Sequence, residues 1–80
     1  MEGMMEVRVE TTPAPRDEPM PRRLWLGDQV VELLELLDRW PGADHTYVKM
    51  LAETGAIFIL RHDRLRDVWE LILYQARVSD

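Results

Sequence analysis

The sequence has no cysteine, a single serine at position 79 and no long apolar run. The lack of cysteine excludes disulfide bonds, a thiolate nucleophile and cysteine-liganded zinc. The apolar runs are far shorter than the roughly 20 residues of a membrane-spanning helix. Residues 1–10 carry three acidic side chains and no extended apolar stretch, which is unlike a secretory signal. We therefore expect a cytoplasmic protein.

Positive charge is also scarce, since the formal net charge is −5. Residues 1–21 hold five acidic and two basic side chains, and residues 22–80 hold ten acidic and eight basic ones. This nearly neutral body lacks the broad basic surface that drives non-specific nucleic-acid binding. With 80 residues the chain forms at most one domain, and self-association would stabilise so small a core.

The clearest structural signal is a β-hairpin. Residues 46–51 and 56–61 are rich in strand-forming side chains, and they flank the turn-forming Glu53, Thr54 and Gly55. Alternation places Val48, Met50, Phe58 and Leu60 on one uncharged face, which we expect to be core. The sequence therefore predicts that this hairpin anchors the domain.

The N-terminal quarter reads differently from the rest. Residues 5–10 alternate apolar and charged side chains, which is typical of a half-buried strand. Four of the five prolines then fall within residues 13–21, where they disfavour a helix or a central strand. We therefore assign residues 1–21 to an N-terminal strand or arm with a proline-rich linker, and residues 22–80 to a small β domain.

Residues 24–27 suggest a short strand entering a turn at Gly27 and Asp28. The segment 30–40 leaves two interpretations open, because its leucines follow a helical spacing while a strand would need both of its faces covered. Residues 68–74 suit a buried strand or a short helix equally well. An isolated hairpin needs further strands or a helix to cover it, and the short connection favours a meander in which this last run pairs with the hairpin.

RRLWLGDQVVELLELLDRW, the hairpin TYVKM and ETGAIFILRHD, and the closing WELILY together resemble a bacterial family of domains of unknown function. Members of that family look like short stand-alone proteins or tail domains of Y-family-polymerase-like proteins of mutagenic DNA repair. The resemblance covers residues 21–75 and rests on Trp25, Gly27, the LDRW ending at Trp40, Tyr47 and Trp69.

The resemblance implies that residues 24–40 are strand-turn-strand. The fold it implies is a small, strongly bent all-β meander or partial barrel of the SH3-like kind, with about five strands and an extended N-terminal arm. It brings no catalytic residues, and it implies a DNA-repair protein as a candidate partner.

The second face of the hairpin is the best candidate binding surface. It is apolar in the middle with a cation at each side, and it consists of Tyr47, Lys49, Leu51, Ile57, Ile59 and Arg61. Exposed apolar patches of this kind usually mark contacts, so we predict a homodimer or partner interface. The alternative is that residues 5–10 or the linker fold back over this face.

A second candidate surface would bind nucleic acid through arginines beside an exposed aromatic ring. Its residues are Arg22, Arg23, Trp25, Arg61, Arg64 and Arg66. Asp63 and Asp67 interrupt this set, so a solvated loop is the competing interpretation.

No catalytic, metal or cofactor site is predicted. His45 and His62 adjoin Asp44 and Asp63 at the ends of the hairpin, where a metal or acid/base site is conceivable, but turn residues with solvated rings are the simpler interpretation. Glu32, Glu35 and Asp38 do not converge on one face of a strand. We therefore expect a non-enzymatic protein.

Overall fold

The computed structural model describes residues 5–12 and 20–76, which form six β-strands. The strands are β1 (Met5–Thr12), β2 (Met20–Leu26), β3 (Gln29–Pro41), β4 (His45–Ala52), β5 (Ile57–Asp63) and β6 (Val68–Gln75). Each pairs antiparallel with the next, and β1 pairs with β6 to close a barrel. The predicted all-β fold of the SH3-like kind is confirmed. The strand count is six, because β1 contributes to the barrel.

Two strands pass from one sheet to another and so bend the structure into a barrel. Residues 29–32 of β3 pair with β2, whereas residues 33–41 pair with β4. Residues 8–12 of β1 likewise pair with β2, and residues 5–7 pair with β6. We call the sheet formed by the second part of β3, by β4, β5 and β6 and by the start of β1 the large sheet. The remaining strand segments form the small sheet.

The ambiguous segment 30–40 is a strand, as the family resemblance implied. Its pairing with β4 skips Leu34 and Leu37, so each is the extra residue of a β-bulge. Leu33 and Leu36 consequently both face the interior, opposite Ala52 and Met50, although a regular strand would place them on opposite faces. An inward residue at every third position imitates the helical period, which is why periodicity alone pointed to a helix.

The proline-rich stretch contains more strand than expected. β2 begins at Met20 and includes Pro21, which is buried opposite Thr11, so the expectation that no strand forms there is wrong. The pairing of β1 with β2 shifts between Glu10 and Thr11. Proline is tolerated at such an irregularity because fewer backbone donors are needed there. The rest of the predicted linker, residues 13–19, lies outside the described residues.

The turns follow the predicted chemistry. Gly27 in the turn after β2 has φ +62°, and Gly55 in the β4–β5 turn has φ +89°, a region that glycine adopts without steric cost. The Ala52 N–H donates to the Ala56 carbonyl at 2.9 Å, which closes the predicted hairpin. Asp67, before β6, is the one non-glycine residue with positive φ among the residues described.

The interior is built around the predicted hairpin face. Val48, Met50, Phe58 and Leu60 are at most 1% exposed, and Leu24, Trp69 and Leu71 complete the core from neighbouring strands. Val7 of β1 belongs to the same cluster. The described residues include no helix with the length and apolarity that a bilayer crossing requires.

Candidate interaction surface

The structure brings all six residues of the predicted interface together on the outward side of β4 and β5. They form three adjacent cross-strand pairs: Tyr47 with Arg61, Lys49 with Ile59, and Leu51 with Ile57. Each is half-buried, while every residue between them on these strands is buried inside the barrel. We call these six residues the outer face. β1 does not fold back over the outer face, because its backbone pairs with β2 and β6.

An aromatic and arginine row runs along one end of the outer face. Trp40 lies opposite Tyr47, and their rings stack in parallel, with centroids 5.5 Å apart and an angle of 2°. On the far side of Tyr47, Arg61 Nε donates a hydrogen bond to Glu70 Oε1 at 2.9 Å, and Arg61 Nη2 lies 2.7 Å from the same oxygen in a salt bridge. Hydrogen bonds to Glu70 and to Tyr47 raise the pKa of the Arg61 guanidinium. These contacts link Trp40, Tyr47, Arg61 and Glu70 into one continuous row.

Three exposed leucines extend the apolar surface beyond the predicted six residues. The bulge residues Leu34 and Leu37 on β3 are 65% and 41% exposed, and Leu73, opposite Ile59 on β6, is 46% exposed. Sequence reasoning missed these leucines and Trp40. The sequence does contain one indication of them: β3 has more apolar residues than one face of a regular strand can bury, so some of them must be exposed.

The charges around the outer face are only partly paired. Glu35 and Asp38 of β3 lie opposite Leu51 and Lys49, so both project outward. Glu32, the third acidic residue of β3, accepts a hydrogen bond from Arg23 Nε at 2.8 Å in the small sheet. The three carboxylates therefore do not form one catalytic group.

The predicted arginine cluster is dispersed. Arg22, Arg23 and Trp25 lie on β2, Arg61 lies on the outer face, and Arg64 and Arg66 lie in the turn between β5 and β6. Hydrogen bonding and charge from Glu32, with a further contribution from Glu10, raise the pKa of Arg23. Arg64 is held at 2.7 Å by both Thr46 Oγ1 and the Ala43 carbonyl.

The small sheet nevertheless carries a basic feature that the sequence did not suggest. The Arg8 guanidinium carbon lies 4.4 Å from the centre of the Trp25 ring, a cation–π stack on the exterior. Beside it is a shallow depression of about 220 Å³, lined by Glu10, Thr11, Thr12, Arg22 and Arg23. Its charge is mixed, because two arginines face one glutamate.

The histidines do not share a site. His45 Nε2 lies 3.7 Å from Asp63 Oδ2, whereas His62 Nε2 lies 2.8 Å from Asp67 Oδ1. His62 is buried and stacks on Trp69 with ring centroids 4.4 Å apart, so the expectation of a solvated ring is wrong for His62. Among residues 5–12 and 20–76, no group of three or more side chains is placed to hold a metal ion.

Asp63 organises the turn beside these histidines. Its Oδ1 accepts the backbone N–H of Leu65 at 3.0 Å and that of Arg66 at 3.1 Å. The Arg66 N–H contributes most to lowering the pKa of Asp63, and burial opposes this shift without cancelling it. The ionised carboxylate therefore has a structural role as a turn anchor.

Comparison of the chain with protein-family models, with curated proteins and with solved structures finds no significant match.

Proposed function

We propose that the chain is a cytoplasmic, non-enzymatic interaction module that self-associates through the outer face. One observation carries the proposal. Six half-buried outward side chains form a contiguous patch with Ile57 and Ile59 at its centre, and exposed leucines border the patch on two sides. Apolar surface of this extent outside the core is characteristic of contact sites.

The composition and order of the patch support this proposal. Trp, Tyr and Arg are enriched at the residues that dominate binding energy, and Trp40, Tyr47 and Arg61 lie side by side here. Their stacking and ion pairing are expected to restrict their rotamers in the free chain. Association through side chains that are already ordered loses less conformational entropy, which favours affinity.

A second copy of the chain is the partner that we propose. The outer face and its β3 border contain charges of both signs, so two copies of this region need not repel each other although the whole chain carries −5. A two-fold contact would also enlarge the small apolar core of an 80-residue domain.

The test is the solution mass of Ile59→Glu compared with the unmodified chain, measured by light scattering. We expect the unmodified chain to have twice the 9.4 kDa mass of one chain, and we expect Ile59→Glu to have the mass of a monomer. Leu65→Glu is the matched control, since Leu65 is 79% exposed in the β5–β6 turn, away from the outer face. A monomeric unmodified chain, or an Ile59→Glu protein of unchanged mass, would contradict the proposal.

A second candidate function is nucleic-acid binding as an accessory domain of DNA repair. The stack of Arg8 on Trp25 favours it, because Arg8 and Arg22, both in the small sheet, have no salt-bridge partner within the described residues. The same function is the one that the sequence resemblance implies. We expect salt-dependent binding of single-stranded DNA that Trp25→Ala weakens. Binding titrations with single-stranded and duplex DNA at two salt concentrations test this candidate, and the absence of detectable binding in all of them would exclude it.

A further inference from the structure

Lys49 occupies an unusual position on the outer face. It is the only lysine among the ten basic residues of the chain. Along β4 it lies between Tyr47 and Leu51, and across the sheet its neighbour is Ile59. It is half-buried, and within residues 5–12 and 20–76 it has no salt-bridge partner.

The nearest outward carboxylates are on β3. Asp38 lies directly across from Lys49, yet its Oδ1 accepts the N–H of the next residue at 2.8 Å. Glu35 lies opposite Leu51 and has no hydrogen-bonding partner among the side chains that the structure describes. Glu70, which lies on β6 opposite Arg61, already forms a salt bridge with Arg61. Asp38 forms no salt bridge with Lys49, and Glu35 is the outward carboxylate of β3 that makes neither a hydrogen bond nor a salt bridge within the described residues.

Covering the outer face would remove Lys49 from water. A buried ammonium group without a counter-charge strongly opposes association, whereas a carboxylate supplied by the partner offsets this cost. Two copies packed face to face supply each other's missing group, because a two-fold contact makes every pairing twice.

Resting on the proposed self-association, we propose that Lys49 forms a reciprocal salt bridge with Glu35 of a second copy. The two-fold axis of this dimer lies in the interface plane and runs perpendicular to the strands. It passes midway between the Lys49–Ile59 pair and the Leu51–Ile57 pair. This axis sets Ile57 over Ile59 of the second copy at the centre. It also brings each Lys49 beside Glu35 on β3 of the opposite chain.

Charge reversal tests the pairing. Lys49→Glu would face Glu35, and Glu35→Lys would face Lys49, so each variant alone should dimerise about 100-fold more weakly than the unmodified chain. An equimolar mixture of the two variants restores both contacts and should form heterodimers with near-normal affinity. Lys49→Arg keeps the charge and should dimerise normally. Far-UV circular dichroism confirms that each variant folds.

Chemical cross-linking provides an independent readout. A carbodiimide joins an amine directly to a carboxylate, and Lys49 supplies the only side-chain amine. Mixing ¹⁴N- and ¹⁵N-labelled chains distinguishes links between chains from links within one chain. We expect a dimer band whose mixed-isotope peptide joins Lys49 to Glu35, and Lys49→Arg should lose that peptide while remaining a dimer in solution.

The outcomes separate this inference from the proposed function. If the unmodified chain is a monomer, self-association itself fails. If it is a dimer that Ile59→Glu disrupts, but the mixed charge variants do not associate, only the Lys49–Glu35 pairing is overturned. An inter-chain cross-link from Lys49 to another carboxylate overturns the pairing as well.

Discussion

Replacing Arg39 with methionine should stabilise the protein. Arg39 pairs with Val48, which is 1% exposed, so the arginine side chain points into the barrel. Its Nε and Nη2 are inaccessible to solvent and have no hydrogen-bond partner in the part of the chain that the structure describes. These two nitrogens lose hydration without gaining a compensating hydrogen bond.

The size of the effect follows from these two nitrogens. An unsatisfied buried donor costs about 1–3 kcal/mol. Arg39 is only half-buried, which argues for the lower part of that range. Methionine has a similar length and flexibility and carries no donor, so it can fill the same space. We expect Arg39→Met to raise the free energy of unfolding by about 1–2 kcal/mol, equivalent to about 4–16 °C in Tm for a domain of this size.

The assay is urea unfolding followed by tryptophan fluorescence, supported by thermal melts at one fixed protein concentration. Arg66→Met is the matched control, because the Arg66 side chain is 66% exposed and its replacement should change stability by less than about 0.5 kcal/mol. Arg39→Lys keeps the buried charge and should give no gain. A loss of stability in Arg39→Met would refute the reasoning, since it would mean that the guanidinium makes favourable contacts.

Three further predictions concern the turns at one end of the barrel. Arg64→Ala should lower the free energy of unfolding by about 1 kcal/mol, because the bonds to Thr46 and to the turn carbonyls are lost, and an unchanged urea midpoint would contradict this. Asp63→Asn should be less stable than the unmodified chain at neutral pH. Folding lowers the pKa of Asp63. The ionised carboxylate therefore stabilises the fold fully above the pKa of Asp63 in the unfolded chain, which is about 4, and this stabilisation is lost as pH falls through the lower pKa of the folded protein. Acid titration of Tm should therefore be flatter in Asp63→Asn, and parallel curves would refute the assignment. Gly42→Ala should destabilise by about 1–2 kcal/mol, since the new Cβ would lie 3.1 Å from the Tyr47 ring and 3.2 Å from a backbone carbonyl, and a higher Tm would contradict it.

The hairpin was predictable because local signals agree there. Residues 46–51 and 56–61 are rich in strand-forming side chains, Gly55 supplies the positive φ that the turn needs, and burial alternates along both strands as a hairpin requires. The outer face follows from the same alternation, so its six residues could be named without the structure. β1 was also apparent from its charge alternation, although nothing in residues 5–10 indicates that it pairs with both β2 and β6.

Other features depend on tertiary contacts that have no local signature. Pro21 reads as a strand breaker, yet a pairing irregularity accommodates it within β2. The six members of the predicted nucleic-acid set include pairs that are close in sequence, but β2 is adjacent to neither β5 nor β6 in the barrel. Trp40 was overlooked because the face it occupies depends on how many bulges precede it.

β3 departs most from what barrel stability alone requires. Its bulges expose Leu34 and Leu37, it projects an unpaired Glu35, and it turns the Arg39 guanidinium into the interior. Departures from local rules concentrate where a sequence serves function. These departures border the outer face or lie beneath it, which agrees with our proposal that the hairpin supplies the centre of the interaction surface and that β3 supplies features that select what binds there.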